Sequence, residues 1–360
     1  MSVGQTSTQS AQTGSPAGSP HKTHAGGESL STRARAPDCH NLLMPDKVPG
    51  KQGGLPLPFP AKRTDNWPMT SSLLESNRDL QRRLTHAATA FSAHAFLHER
   101  CADELVSRLD LLRIAPETIL DAGAATGALA QRLAQRYPGA QVTAAELNQA
   151  LAATMPEVGA LKRLLGRTRA VQRLAAALDD LPLGDDSVDL VASNLALPRF
   201  AEPDAVLTEV ARVLKPGGAF SFVTLGPDTL RELREAWGDV DDGVHVATFT
   251  DMHDIGDALG RAGFAEPVLD VETLALTYND VGALWRDLSA LGARNCLPGR
   301  QRGLTGRTRF GDMCNRLMRD GTLRLSVELV YAQCWGTAGP HKSGEVAIRP
   351  DAIGMRRRDG

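Results

Sequence analysis

The sequence predicts an α/β fold, a doubly wound parallel sheet with helices on both faces. Three observations carry this. Short apolar runs alternate with helical periodicity from residue 118 to residue 224, the pattern of a parallel sheet. The first run ends in an acid followed by a glycine-rich turn, "TILDAGAATG" (Thr118–Gly127). The run "VDLVASNL" (Val188–Leu195) is apolar at five of its eight positions, as in a buried strand. Right-handed crossovers then wind such a sheet in both directions.

The elements follow in order. Ala95, Leu97, Cys101, Leu105, Leu109 and Leu112 recur at helical spacing, which predicts one helix over 87–112. Thr118–Asp121 is a strand and Gly123–Gly127 a turn. Ala128–Tyr137 is a helix stopped by Pro138-Gly139, and Gln141–Glu146 a second strand. Arg169–Leu174 is a weaker strand and Val188–Leu195 a strong one. Asp204–Leu214 is a helix ended by the turn Lys215–Gly218, and Ala219–Leu225 is the next strand. Helices are expected over Asp228–Trp237 and Met252–Gly263, a strand over Val268–Leu276 and a helix over Val281–Leu291. Arg294–Arg309, rich in Gly and Arg, reads as a loop, and Leu323–Trp335 as a closing strand.

Composition narrows the class. The chain has 360 residues, enough for one large domain or two ordinary ones. Its 40 Lys and Arg against 42 Asp and Glu argue against a broadly basic nucleic-acid binder. Cys39, Cys101, Cys296, Cys314 and Cys334 are scattered and form no CxxC pair, which disfavours structural zinc and a disulfide framework. No apolar run approaches a membrane span and no secretory signal is visible. The expectation is a cytoplasmic monomer that contacts neither nucleic acid nor membrane. Residues 1–60 hold eight Gly, eight Pro and one aromatic residue, Phe59, so 1–65 is expected to be a disordered leader. Pattern begins near Met69, a candidate start; one domain then covers 70–340, and 341–360 is a frayed tail carrying Arg356–Arg358. Within that domain, N-terminal helices (70–112) precede a ligand-binding core (116–237) and a cap with closing strands (245–336).

Ligands of open parallel sheets sit at the carboxyl ends of the strands. Asp121 ends the first strand, and Gly123 and Gly127 let the backbone turn tightly and approach a ligand. Glu146, at the end of the second strand, can accept hydrogen bonds from ribose hydroxyls. The string departs from GxGxxG at Ala125 and Ala128, so a plain strand–turn–helix and a dinucleotide site both remain open. His94 and His98 are spaced like two metal ligands on one helical face, without an HExxH string, and no metal site is expected. His245 stands apart from them. His253, in "DMHD", reads as a local hydrogen-bonding residue.

Together with "DDLPLGDDSVDLVASNLAL" (Asp179–Leu197) and "VLTEVARVLKPGGAFSFVTLGPDTL" (Val206–Leu230), these blocks resemble the class I S-adenosylmethionine-dependent methyltransferases. The resemblance implies a mostly parallel, Rossmann-like sheet of seven strands, the last antiparallel, with N-terminal helices and an appended helical and loop cap. It implies S-adenosylmethionine as methyl donor, bound by Asp121, Gly123, Ala125, Gly127 and Glu146. One glycine of the family's D-x-G-x-G-x-G loop is replaced by Ala125, and its adenine-reading acid by Ala177, for which Asp179 or Asp180 could substitute. Asn194, ending the fourth strand, falls where the family faces both donor and acceptor.

"AATAFSAHAFLHERCADELVSRLDLL" (Ala87–Leu112), "LGPDTLRELR" (Leu225–Arg234), "FTDMHDIGDALGRAGFAEPVLDVE" (Phe249–Glu272) and "GLTGR" (Gly303–Arg307) resemble a narrower group over about residues 75–350. Its members methylate the free carboxylate of a malonyl thioester on acyl carrier protein, or coenzyme A, early in biotin synthesis. The resemblance implies an in-line transfer that needs no general base, because a carboxyl group with an ordinary pKa near 4 is already ionised. Phe91 stands where the group often carries a tyrosine near the donor. Arg294, Arg300, Arg302, Arg307 and Arg309 are candidate anchors for the malonyl group, Arg307 by its match to "GLTGR", and clustered Arg would also steer an acidic carrier protein. Another small-molecule methyltransferase, or a non-catalytic assembly protein whose donor site has decayed at Ala125, Ala177 and Phe91, remains open. An NAD-linked oxidoreductase is disfavoured, since "LPLGDDSVDLV" and "LKPGG" have no role in it.

Overall fold

The computed structural model describes residues 71–156, 170–200, 203–297, 299–318 and 321–338. The expected leader (1–65), Met69 and the tail (341–360) lie outside them. The described residues belong to one compact unit. No helix among them is long and apolar enough to cross a membrane.

Seven strands form one sheet in the order β3-β2-β1-β4-β5-β7-β6. They are β1 (Thr118–Ala122), β2 (Gln141–Ala145), β3 (Gln172–Leu174), β4 (Val188–Asn194), β5 (Leu214–Leu225), β6 (Ala265–Tyr278) and β7 (Leu323–Trp335). β1 to β5 pair in parallel, and β7 runs antiparallel to both β5 and β6. The order turns back between β1 and β4, so their carboxyl ends flank the crevice where ligands of such sheets bind.

The helices are α1 (Ser71–His94), α2 (Phe96–Leu109), α3 (Ala128–Arg136), α4 (Gln149–Thr154), α5 (Pro203–Val213), α6 (Arg231–Gly238), α7 (Met252–Arg261), α8 (Val281–Ala290) and α9 (Arg307–Leu317). The strands' two-residue period sends neighbours to opposite layers. Ile119 and Leu190 pack under Leu105 of α2 and Leu129 of α3. Leu120 and Val191 pack under Val206 of α5 and Leu259 of α7. A third apolar cluster joins α6, α8 and α9 to the ends of β6 and β7. Buried Cys101 and Cys334 are free thiols, and burial pushes the Cys101 thiol up to about 12, so neither is poised to react.

Three expectations are corrected. The single helix over 87–112 is two, broken at Ala95 (φ −85°, ψ 26°). α1 packs on α4 and α8, whereas α2 packs on α3 and the sheet face; one straight helix cannot face both, and the buried alanine leaves room for the turn. Lys215–Gly218 does not separate helix from strand but lies inside β5, whose pairing with β4 skips from Leu214 to Ala219. The loop expected over 294–309 ends at Gly306, and Arg307 and Arg309 stand on α9. Phe310, Met313, Cys314 and Leu317 carry that helix's inward face, a periodicity hidden among Gly and Arg.

Candidate methyl-donor site

Asp121 is fully buried near the end of β1, and neither of its carboxylate oxygens has a hydrogen-bond partner of good geometry. Burial pushes its pKa up to about 7; the neighbouring Ala130 N–H only partly offsets this, and Glu146 adds to the rise. The chain then turns sharply. Gly123 has φ +83°, and its N–H and that of Ala124 both donate to Ala145 O at 3.0 and 2.9 Å. A Cβ on Gly123 would overlap the Cβ of Ala196, so glycine is required here for space as well as for φ. Gly127, at φ +81°, opens α3.

Ala125 also has a positive φ, +47°. It therefore adopts the glycine-like conformation without being glycine. Its N–H donates to Glu146 Oε2 at 2.9 Å, and its methyl packs with Phe91, Ala95 and Leu151. The left-handed conformation costs alanine about 1–2 kcal/mol, but burying the methyl returns about 0.8 kcal/mol. Ala125→Gly also loosens the unfolded chain, by about 0.4–1 kcal/mol. The expected result is a stability within about 1 kcal/mol of wild type in urea unfolding. A larger loss would mean the methyl is essential to its packing with Phe91, Ala95 and Leu151.

Glu146 is buried at the end of β2. Its Oε1 accepts the Asn148 N–H at 2.9 Å, and Oε2 also meets Arg199 Nη1 at 3.3 Å. Asn148 caps α4 through Leu151 N and donates its side-chain amide to Gln81 and Thr85 of α1. The first helix is thereby tied to the rim of the site. At the end of β4, Ser193 Oγ donates to Ala122 O at 2.7 Å, and Asn194 Nδ2 donates to His98 O at 2.8 Å. Asn194 Oδ1 is buried without a partner.

Phe91 is 1% exposed and meets the His98 ring edge-on at 5.1 Å between centroids. His98 Nδ1 is buried and unpartnered. Desolvation, with the Arg199 charge second, pushes the His98 pKa down to about 3, so the imidazole is neutral. The break at Ala95 separates it from His94, whose Nδ1 lies 2.6 Å from Asp287 of α8. The two histidines do not share a helical face. Among the described residues no three His, Cys, Asp or Glu gather as a metal would need. His245 pairs with Asp241 at 2.6 Å and stacks on Trp237, and His253 pairs with Asp251, which caps α7.

The structure thus brings together Asp121, Gly123, Ala125, Gly127, Glu146, Asn194 and Phe91. Leu178, buried beside Gly123, carries the Ala177–Asp180 turn to the same edge. There Asp179 is half-buried and Asp180 exposed. Arg307 is not part of this group: it is exposed on the first turn of α9, whose inner face packs against α6. Arg300 pairs with Asp79 of α1, and Arg309 meets Asp241 at 3.3 Å. Arg199 was missed by motif reasoning. The available signal was its place in the loop that follows a buried parallel strand, where sites on this fold are built.

Unpartnered, buried carboxylate and amide oxygens at the ends of β1 and β4 suit a ligand that offers hydrogen-bond donors. With the 3-2-1-4-5-7-6 strand order, they define a class I S-adenosylmethionine-dependent methyltransferase. Residues 120–222 match a family model described as a methyltransferase domain. Malonyl-[acyl-carrier protein] O-methyltransferase of Laribacter hongkongensis is 44% identical over 278 residues, 75% of this chain and 93% of that one. The proteins of the same name from Methylovorus sp. and Halorhodospira halophila are 41% and 40% identical, over 76% and 78% of this chain and 95% and 96% of theirs. The chain belongs to the malonyl-[acyl-carrier protein] O-methyltransferase family.

Proposed function

We propose that this protein transfers a methyl group from S-adenosylmethionine to the free carboxylate of a malonyl thioester carried on acyl carrier protein, an early step of biotin synthesis. The observation that carries the reading is the unpartnered, buried Asp121 carboxylate at the β1–β4 crevice. S-adenosylmethionine supplies a sulfonium methyl: the acceptor oxygen forms the C–O bond while the S–C electron pair returns to sulfur, and no proton moves.

The chain's own residues have three tasks. Asp121 and Asn194 Oδ1 accept hydrogen bonds from the donor's ammonium end. Glu146 accepts from its ribose hydroxyls, already oriented by the Ala125 and Asn148 N–H groups. Phe91, His98 and Ala125 exclude water from the reacting carbon, since a neutral imidazole and two apolar side chains add no competing charge. Asp179 and Asp180 take the adenine rim. Lacking a hydroxyl at Phe91 costs a hydrogen bond of about 1 kcal/mol, not the apolar lid. The same reading assigns the protein to the cytoplasm as a monomer, where its free thiols suit a reducing compartment.

Arg307 is assigned to carrier docking. It lies three residues from Leu304, which is 97% exposed, and an apolar tip beside cations suits an acidic partner surface. Arg307→Ala is expected to raise KM several-fold for carrier-borne malonyl and to leave KM for malonyl-coenzyme A unchanged. Equal effects on both would move Arg307 from docking to substrate anchoring, and no effect on either would remove it from the reaction. The reading as a whole is tested by calorimetric titration with S-adenosylmethionine and S-adenosylhomocysteine, then by methyl transfer to malonyl-acyl carrier protein. Absence of binding would overturn it, and binding without transfer would leave a methyltransferase of another acceptor.

A further inference from the structure

We infer that Arg199 anchors the acceptor's carboxylate, and so selects malonyl over uncharged acyl groups; the inference rests on the reaction proposed above. Arg199 ends the 3-10 turn Leu197–Arg199, which follows directly from Asn194 at the tip of β4. Its side chain is 16% exposed. It reaches Glu146 through a single nitrogen at 3.3 Å and stands close enough to His98 to act on its charge. His98 in turn carries Asn194 on its carbonyl and Phe91 on its ring. The guanidinium therefore lies beside Glu146, one of the residues assigned above to the donor.

Glu146 does not need this arginine. Each of its oxygens already accepts a backbone N–H at 2.9 Å. A guanidinium has five donors in a planar fork matched to carboxylates, and one long contact uses little of that capacity. A largely buried cation with donors to spare is placed to receive a second anion. The acceptor requires such a partner, because an ionised carboxylate entering a dry site loses its hydration and is strongly disfavoured unless paired. Pairing through one carboxylate oxygen leaves the other to attack. The neutral His98 imidazole neither competes for the anion nor repels the guanidinium. Of the arginines in 294–309, Arg300 is already paired, with Asp79 of α1.

Once methylated, the acceptor is a neutral ester and loses its charge-assisted bond to Arg199. That loss favours product release. An acetyl group, lacking the carboxylate, leaves Arg199 without its second partner and binds poorly for the same reason.

The test uses the full chain with Arg199→Gln and Arg199→Lys. KM and kcat are measured on malonyl-acyl carrier protein and on malonyl-coenzyme A. S-adenosylhomocysteine affinity is measured separately by calorimetry, as is malonyl-coenzyme A binding to protein loaded with S-adenosylhomocysteine. Arg199→Gln is expected to raise KM for both acceptors by about tenfold or more and to weaken malonyl-coenzyme A binding in parallel. S-adenosylhomocysteine affinity should stay near wild type, and Arg199→Lys should recover part of the loss. An unchanged KM would overturn the inference. So would a loss of S-adenosylhomocysteine affinity that matches the rise in KM, because Arg199 would then act only through Glu146. A wild-type protein that forms no methyl ester would instead overturn the proposed reaction, and this inference with it.

Discussion

Gly123→Ala is expected to lower the unfolding free energy by about 2–5 kcal/mol, from left-handed strain of about 1–2 kcal/mol and overpacking of about 1–3 kcal/mol. Gly123 has φ +83°, and an added Cβ would overlap the Cβ of Ala196. Ala196 opens the 3-10 turn that carries Arg199, and its Cβ is fixed to backbone rather than to a side chain that could swing aside. Any relief must therefore shift either the Gly123 loop or the β4 tip, and both carry residues of the proposed donor site. Urea unfolding monitored by circular dichroism would measure the loss. Adding Ala196→Gly separates the two causes. It removes the overlap but not the strain at φ +83°, and costs about 0.5–1 kcal/mol by itself because Ala196 has ordinary helical angles. The loss in the double variant should fall short of the sum of the two single losses by about 1–3 kcal/mol. Strict additivity would mean that Ala196 does not limit the turn.

The grouping of Asp121, Glu146 and Asn194 was legible because each sits at a strand end that apolar periodicity marks. Asp121, Glu146 and Asn194 close β1, β2 and β4, and the sheet's topology brings those ends together. The conformation of Ala125 was not legible. A substitution at a glycine position leaves open whether the backbone still needs positive φ, and the structure gives φ +47° with the methyl packed under Phe91. The break between α1 and α2 was hidden for a related reason. Apolar spacing runs through Ala95 without proline or glycine, and the turn follows from which partners each half packs against. The place of Arg199 was the least legible. Arginines dense in sequence drew attention to 294–309, whereas Arg199 stands alone in "ALPRF" and reaches Glu146 only through the fold, 53 positions away.

Asp121→Asn should yield a protein that is more stable when free and weaker for its methyl donor. Free, the carboxylate is fully buried and unpartnered, and its pKa is pushed up to about 7 from an ordinary value of 3.8. The folded protein therefore binds more protons than the unfolded chain between these two values. Stability consequently falls as pH rises from about 4 to about 7, by on the order of a few kcal/mol, and stays low above that range. Asparagine carries no charge to desolvate, so the variant should lose this slope and exceed wild type in urea unfolding at pH 8. Donor binding moves the other way. An ammonium group beside Asp121 favours the ionised carboxylate, and losing that charge-assisted bond should weaken S-adenosylhomocysteine by about 10–100-fold. The same pairing makes binding release a proton. Near pH 6.5, wild-type binding enthalpies should differ between buffers of different ionisation enthalpy, and those of Asp121→Asn should not. A variant that is less stable at pH 8 and binds S-adenosylhomocysteine as tightly as wild type would make Asp121 a structural acid, its oxygens satisfied by the protein rather than by the donor.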